Sequence, residues 1–525
     1  MAWNAWGDPG AAKPLSDGIR SLLQQALGVT GTEVPAPGID EVEVTPSALP
    51  AAHRDGLAAI VGAGYVRADD RARLLHAGGK STLDLLRRKQ IRQDAPDAVV
   101  LPGDEGEIAA VLAYCSTHRI AVVPFGGGTS VVGGLDPIRG DFDAVVTLDL
   151  RRLDALHWLD EISGEAELGA GVTGPDAERL LGERGFSLGH FPQSFRFATI
   201  GGFAATRSSG QGSAGYGRFN DMIGGLRVVT PAGVLDLGRA PESAAGPDLR
   251  ELITGSEGVF GIITRVRLRV HPTPETARYE AWSFPDFATG TDALRAVTQT
   301  GTGPTVLRMS DEAETGVNLA TTESIGEQSI TGGCLAITVF EGTAAHAESR
   351  HAETRALLGA HGGTSLGEGP AKAWEHGRFD APYLRDSLLA AGALCETLET
   401  ATTWSNIPVL KAAVTDALTT SLTESGTAAL VMCHISHVYP TGASLYFTVV
   451  AGQRGDAAEQ WRAAKTAACE AITRTGGTIT HHHAVGADHR PWMTAEVGDL
   501  GVQVLQAVKQ TLDPAGILNP GKLIP

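Results

Sequence analysis

The sequence predicts an α+β protein made of two successive mixed α/β groups followed by a ferredoxin-like α/β cap. Three observations carry that prediction. Strand-like apolar runs, "IAVVPF" and "DAVVTLDL", follow a stretch in which Ile108, Val111, Leu112 and Cys115 recur at helical spacing. A loop with five glycines in twelve residues, "PFGGGTSVVGGL" at 124–135, leaves the first of those strands. Beyond the proline-punctuated "HPTPE" at 271–275, strands alternate with long helices a second time.

Taken in order, residues 1–91 are helix-biased and end in "LLRRKQIRQDAPD", where Pro96 breaks the pattern, so an N-terminal helical extension is expected there. Residues 92–273 hold the two α/β groups. Within them "GEAELGAGVTGPDAERLLGERG" reads as strand, turn and helix, "GLRVVTPAGVLDLG" as a hairpin turning at Pro231 and Gly233, and "VFGIITRVRLRV" as a further strand. Residues 274–480 form the cap: "CLAITVFEG" precedes a helix, and the paired strands of "ALVMCHISHVYPTGASLYFTVVAG" precede another. Residues 481–525 supply a histidine loop, entered from a strand "TGGTIT", and a tail. No internal repeat is evident.

Composition bounds the partners. The 525-residue chain carries 60 acidic and 42 basic residues, a formal charge of −18, which opposes attraction to nucleic acid or to anionic membranes. Five scattered cysteines (Cys115, Cys334, Cys395, Cys433, Cys469) make neither a zinc cage nor a disulfide framework, and no secretory leader or membrane span is read. A cytoplasmic protein with reduced thiols is expected.

The glycine loop admits several readings. A Walker loop needs a lysine that is absent, and a Rossmann fingerprint needs a helix that Leu135, Asp136 and Pro137 do not sustain. A nest, in which backbone N–H groups of Gly126, Gly127, Gly128, Thr129 and Ser130 converge on a pyrophosphate, needs neither. A glycine turn without ligand is the plain alternative. "VGAGYV" at 61–66 reads as a packing pair of glycines.

Company decides between them. "FPQSFRFATIGGFAATRSSGQGSAGYGRF" at 191–219 and "GSEGVFGII" at 255–263 make the chain similar to the FAD-binding domain of vanillyl-alcohol oxidase and para-cresol methylhydroxylase (PCMH) relatives. Within that superfamily it resembles the alkyldihydroxyacetonephosphate synthase (alkylglycerone-phosphate synthase) family nearly end to end, through "WNAWG", "TIGGFAATRSSG", "LRMSD", "YLRD", "ETATTWSN", "GASLYF", "THHHAVG" and "VKQTLDP". The resemblance implies a two-lobed PCMH-type FAD domain with a substrate cap, and cofactor contacts at four places. These are Pro124, Phe125, Gly126, Gly127, Gly128, Thr129 and Ser130; Gln193, Ser194, Phe195, Arg196, Phe197, Ala198 and Thr199; Thr206, Arg207, Ser208 and Ser209; and Glu257, Gly258, Val259, Phe260, Gly261, Ile262 and Ile263. Neither the glycine loop nor the strand after it holds a histidine for covalent attachment, so noncovalent FAD is expected.

The same resemblance implies ether-lipid chemistry, the acyl chain of acyl-dihydroxyacetone phosphate being exchanged for a long-chain alcohol without net loss of electrons. Tyr446 matches the proton donor and acceptor; a phenol with an ordinary pKa near ~10 needs cationic neighbours to act as a base. His481, His482 and His483 match an active-site loop, and as consecutive residues make a poor metal site, so no metal is expected. Arg385 and Arg308 match substrate-binding arginines, each with a plain alternative as a salt bridge, to Asp386 or Asp311. Phe191 and Gln193 stand where the family commonly carries acidic residues, and "GILNPGKLIP" is more like the ending of flavin-linked 2-hydroxy-acid dehydrogenases. Oxidation of a lactate- or glycolate-type hydroxy acid is therefore the rival activity, and a flavin binder without catalysis a distant third. A lipid or small anionic substrate, peripheral membrane contact and a homodimer complete the expectations; no nucleic-acid partner is among them.

Overall fold

The computed structural model describes residues 1–29, 36–321 and 333–525. Three sheets organise them. In the first, strands Ala98–Val100, Ala144–Asp149 and Ile120–Phe125 run parallel and Val66–Arg67 joins the edge antiparallel. Such a sheet needs a cover, and helix Glu105–Thr117 supplies one, burying the same Ile108, Val111, Leu112 and Cys115 whose spacing predicts it. Asp104 caps that helix by accepting from the Glu107 N–H at 2.8 Å. The second sheet is antiparallel, in the order Gly233–Leu237, Ile223–Thr230, Ile262–Arg269, Glu165–Gly169, Leu156–Asp160. Glu105 ties the two lobes: its carboxylate, on the first lobe's helix, pairs with Arg227 at 2.6 Å and Arg265 at 3.0 Å on the second lobe's strands.

The cap is a seven-stranded antiparallel sheet. Strands Thr276–Phe284, Val306–Ser310, Cys334–Gly342 and Thr364–Gly367 take the spatial order fourth, first, third, second, which is a complete ferredoxin-like unit. Strands Ala393–Thr403, Ala429–Tyr439 and Gly442–Gly452 repeat the order first, third, second, with helices Ile407–Glu424 and Ala457–Arg474 behind them. The two units join edge to edge where Met309 pairs with Ile435. The cap is thus a structural repeat that the sequence does not display, because the two halves share alternation and topology rather than residues.

Two local expectations are corrected. The helix before Pro96 ends at Arg87, and Arg92–Gln93 already pairs in parallel with Glu43–Val44. No strand precedes the histidines: residues 475–480 leave helix Ala457–Arg474 through Gly476, at φ +77°, as a loop. The N-terminal extension divides between bodies. Helix Asp17–Leu27, capped by Ser16 and ended by Gly28 in the left-handed region, buries Leu23 and Leu27 against Leu388, Met432 and Val450 of the cap. Helix Ala51–Val61 buries Leu57 and Val61 in the first lobe. The C-terminal tail also returns to that lobe, Leu518 bridging to Val122.

Candidate active site

One cavity of about 690 Å³ lies between the two lobes and the cap. Strand Ile120–Phe125 delivers the glycine loop to its wall, where residues 124–131 line it. A Cβ on Gly127 would lie 2.0 Å from the Phe197 carbonyl oxygen, and one on Gly126 would lie 2.4 Å from the Thr199 hydroxyl. The glycines therefore answer first to the neighbouring loop of the protein, whose backbone presses on them. Gly258, at φ +75°, is needed for the same reason, since its Cβ would meet Pro124 at 2.2 Å.

Of the residues assigned to the cofactor by resemblance, most face this space: Gln193, Ser194, Ala198, Thr199, Thr206, Ser208, Ser209, Glu257, Gly258, Gly261, Ile262 and Ile263. The others turn away. Phe195 packs on Phe191 and Phe379, Arg196 lies over Phe379, and Phe197 meets Trp6 edge-on. Arg207 pairs with Glu251 at 2.7 Å and bonds the Thr254 carbonyl, while Val259 and Phe260 are in the core of the second lobe. A contiguous motif in extended or turning chain cannot point every side chain one way.

The cradle suits FAD. The Gln193 Nε2 and Gln211 Oε1 atoms are buried without partners, and both residues line the cavity, so a ligand offering an acceptor and a donor satisfies them. Glu257 closes the cradle from the C-terminal side: its carboxylate accepts from the N–H groups of Val485 (3.1 Å) and Gly486 (2.9 Å), and burial pushes it up to about 7. Asn519 bonds the carbonyl oxygens of Glu257 at 2.7 Å and Gly134 at 3.2 Å.

Two adjacent cap strands turn even-numbered residues to the cavity. Tyr446, Thr448 and Val450 line the cavity from one strand, and Leu430, Met432, His434 and Ser436 from the next, as pleating requires. Tyr446 is opposite Glu399 on one side and His434 on the other. Its ring is stacked between those of His434 (centroids 4.9 Å apart, planes 15°) and His482 (5.9 Å, 16°), with His483 edge-on at 5.5 Å. Burial pushes the Tyr446 phenol upward, so the group rests protonated; the cationic tuning foreseen for it is not what dominates here.

Glu399 holds the histidine loop. Its Oε2 accepts from the His481 N–H at 2.6 Å, and its Oε1 accepts from the N–H groups of His482 (3.1 Å) and His483 (2.9 Å) and from the Thr480 hydroxyl (2.6 Å). Four donors favour the ionised carboxylate. His482 and His483 reach the cavity. His481 does not: it is tucked behind, its Nε2 against the Tyr439 hydroxyl at 2.6 Å and its Nδ1 against the His482 Nδ1 at 3.0 Å. Burial, before any other cause, pushes the His481 ring down to about 3 and the His482 and His483 rings downward as well, leaving the three neutral. One nitrogen each of His437, His481 and His482 lies within 4.8 Å of the others, so these rings, rather than the consecutive run, are the ones spaced to share an ion or a proton.

Both arginines line the cavity, and both are also paired. Arg385 grips Asp386 at 2.9 Å and the Lys80 carbonyl at 2.6 Å; burial opposes its charge, but Asp386 and Glu396 outweigh burial and raise it. The partner of Arg308 is Glu314, at 3.1 Å, and Asp311 pairs instead with Lys411. The N-terminal segment braces this corner. Trp6 lines the cavity and donates its backbone N–H to Asp386, while Lys80 donates to the carbonyls of Ala2 and Trp3. The cavity continues as an apolar arm among Ile19, Leu23 and Leu27 of helix Asp17–Leu27 and Leu384 and Leu388 of helix Ala381–Ala390.

Comparison with known proteins agrees with this geometry. Residues 96–238 match the model of the FAD binding domain, and residues 273–523 that of the C-terminal domain of FAD linked oxidases. The alkyldihydroxyacetonephosphate synthase of Trypanosoma brucei brucei is 33% identical over 569 aligned positions, covering 100% of this chain and 92% of that protein. The chain belongs to the alkyldihydroxyacetonephosphate synthase family. The Dictyostelium discoideum member of that family is 31% identical, with 100% and 93% covered. A solved alkyldihydroxyacetonephosphate synthase structure superposes with a TM-score of 0.86 at 29% identity, over 100% of this chain and 99% of the other. p-Cresol methylhydroxylase, at 16% identity and a TM-score of 0.68, shares the fold. The protein is an FAD enzyme with the PCMH-type α+β fold of this family.

Glu314, His434, Glu399 and His437 were not singled out by the sequence. Glu399 stands in the family segment "ETATTWSN", but its strand Ala393–Thr403 is rich in Thr and carries Glu396 as well, so nothing in the run marks this carboxylate as buried.

Proposed function

We propose that the protein is an FAD-dependent alkyldihydroxyacetonephosphate synthase, exchanging the acyl group of acyl-dihydroxyacetone phosphate for a long-chain alcohol in ether-lipid synthesis. The observation that carries this reading is that one cavity joins the flavin cradle, a protonated tyrosine, two arginines and an apolar arm. Arg308 and Arg385 offer fixed guanidinium donors to a phosphate. Leu23, Leu27, Leu384 and Leu388 take the hydrocarbon chain out of water, at about 0.8 kcal/mol per buried CH2. Tyr446 gives its phenolic proton to the substrate and recovers one from it, and the neutral His482 and His483 rings beside it accept or return that proton. FAD, held noncovalently by the glycine loop and Gln193, supplies a reversible electron sink. The protein works in the cytoplasm and meets its lipids at a membrane surface.

The test is anaerobic incubation of flavin-replete protein with palmitoyl-dihydroxyacetone phosphate and hexadecanol, D-lactate being supplied in parallel, with mass spectrometry of products and flavin absorbance both followed. Alkyl product without an added electron acceptor is expected, and Tyr446→Phe should lower it by a factor on the order of 100 to 10,000 while flavin stays bound. Flavin bleaching by the hydroxy acid with no alkyl product would replace this reading with a dehydrogenase.

A further inference from the structure

Among the described residues, Glu314 is the one carboxylate that touches both a substrate-facing arginine and a ring stacked on Tyr446. It sits in the first turn of helix Glu312–Thr321, whose start is fixed by the Glu314 N–H bonding Asp311 at 2.9 Å. Its Oε1 accepts from Arg308 Nη2 at 3.1 Å and from the Ser310 hydroxyl at 3.0 Å, and its Oε2 meets His434 Nδ1 at 2.8 Å. All four side chains line the cavity, and Arg308 lies over Trp374 with its guanidinium 5.6 Å from the ring. Burial opposes the Glu314 charge, but His434 and Arg308 outweigh it and hold the carboxyl at about 2, so a carboxylate already occupies the arginine.

We propose that Glu314 couples the filling of Arg308 by an anionic substrate to the proton held on His434. The inference rests on the synthase reading for its catalytic consequence. An incoming phosphate and Glu314 compete for one guanidinium. When the phosphate takes it, Glu314 keeps only Ser310 and His434, and its undivided charge favours a protonated imidazole. That ring is stacked on the phenol that moves the proton, so the acid–base pair is set when the head group is seated. The charged and titratable groups around His434 are few. Tyr446 faces it from the paired strand, Arg308 from strand Val306–Ser310 and Glu314 from the helix, with His482 beyond Tyr446. Glu314 and His434 are positioning residues in this scheme: they act through Arg308 and Tyr446.

The test uses the full-length, FAD-loaded protein and its Glu314→Gln and His434→Gln variants, with flavin content checked in each. Titration calorimetry with glycerol 3-phosphate reads the anion site without turnover. Glu314→Gln should bind it about tenfold more tightly, as expected for the loss of a competitor, while His434→Gln, which cannot take up the proton coupled to the anion, should bind it more weakly than the parent. In turnover, Glu314→Gln should lower KM and kcat together and flatten the pH profile of kcat, whereas general damage to the site would raise KM. Unchanged or weaker glycerol 3-phosphate binding by flavin-replete Glu314→Gln would overturn the proposal, as would a parental pH profile. A parent that forms no alkyl product refutes the synthase reading instead, and the calorimetry still decides the competition.

Discussion

Replacing Glu399 by glutamine should loosen the histidine loop and leave the rest of the molecule intact. The amide oxygen can take the place of Oε1 and keep Thr480, His482 and His483, but the amide NH2 then faces the His481 N–H, a donor against a donor. One hydrogen bond to a charged acceptor is lost and one buried N–H is stranded, costing about 2–3 kcal/mol locally. At 1.36 kcal/mol per factor of ten, amide exchange across 481–483 should quicken roughly 30- to 150-fold. Hydrogen exchange followed by mass spectrometry on flavin-replete protein measures this peptide by peptide. Helix Ala457–Arg474 just before the loop serves as the internal control and should keep its protection. Parental exchange at 481–483 would mean that the loop is held by its own packing, and the argument from Glu399 would fail.

Other outcomes follow from the same geometry. Gly127→Ala should yield protein with less than about a tenth of the parental flavin, because a Cβ 2.0 Å from a backbone oxygen forces the two cradle loops apart; a flavin-replete variant would refute this. Glu257, raised by burial to about 7, binds its proton more tightly folded than unfolded, so its contribution is full below the ordinary carboxylate range and is lost as pH rises through about 7. Glu257→Gln should therefore flatten the fall in stability between pH 4 and pH 8 by on the order of 3 kcal/mol, read from urea unfolding at each pH. Leu388→Trp, filling the apolar arm, should cut the preference for hexadecanol over decanol about tenfold or more in competition assays; an unchanged preference would place the chain elsewhere.

The sequence made the fold legible wherever one element declares itself. The helix over Ile108–Cys115 and the hairpin whose second strand carries Tyr446 follow from periodicity and turn residues, and the glycine loop from composition. The site was less legible because its partners depend on register. A plain two-residue turn from Tyr439 to Gly442 would set Tyr446 opposite Ile435; an irregularity between Ile435 and Val438 shifts the ladder by one and brings His434 there instead. No local rule predicts that bulge, and with it Glu314 also stays hidden, since its place beside His434 requires a third strand and a helix. The cofactor motifs meet a different limit. A resemblance transfers whole segments, whereas Phe195, Phe197, Val259 and Phe260 hold up the cradle from behind.

The tail has a consequence for how the enzyme is made. The Glu257 carbonyl that Asn519 bonds and the strand that Leu518 joins belong to the first half of the chain, while their partners are translated hundreds of residues later. A ribosome-bound chain can complete each lobe's own sheet early, but the cradle stays open until residues 517–523 emerge and thread back beside Val122. Nascent chains should therefore stay colourless until residues 517–523 have left the exit tunnel, and chains truncated before residue 517 should form a folded, cofactor-free shell for the cell's quality control to find.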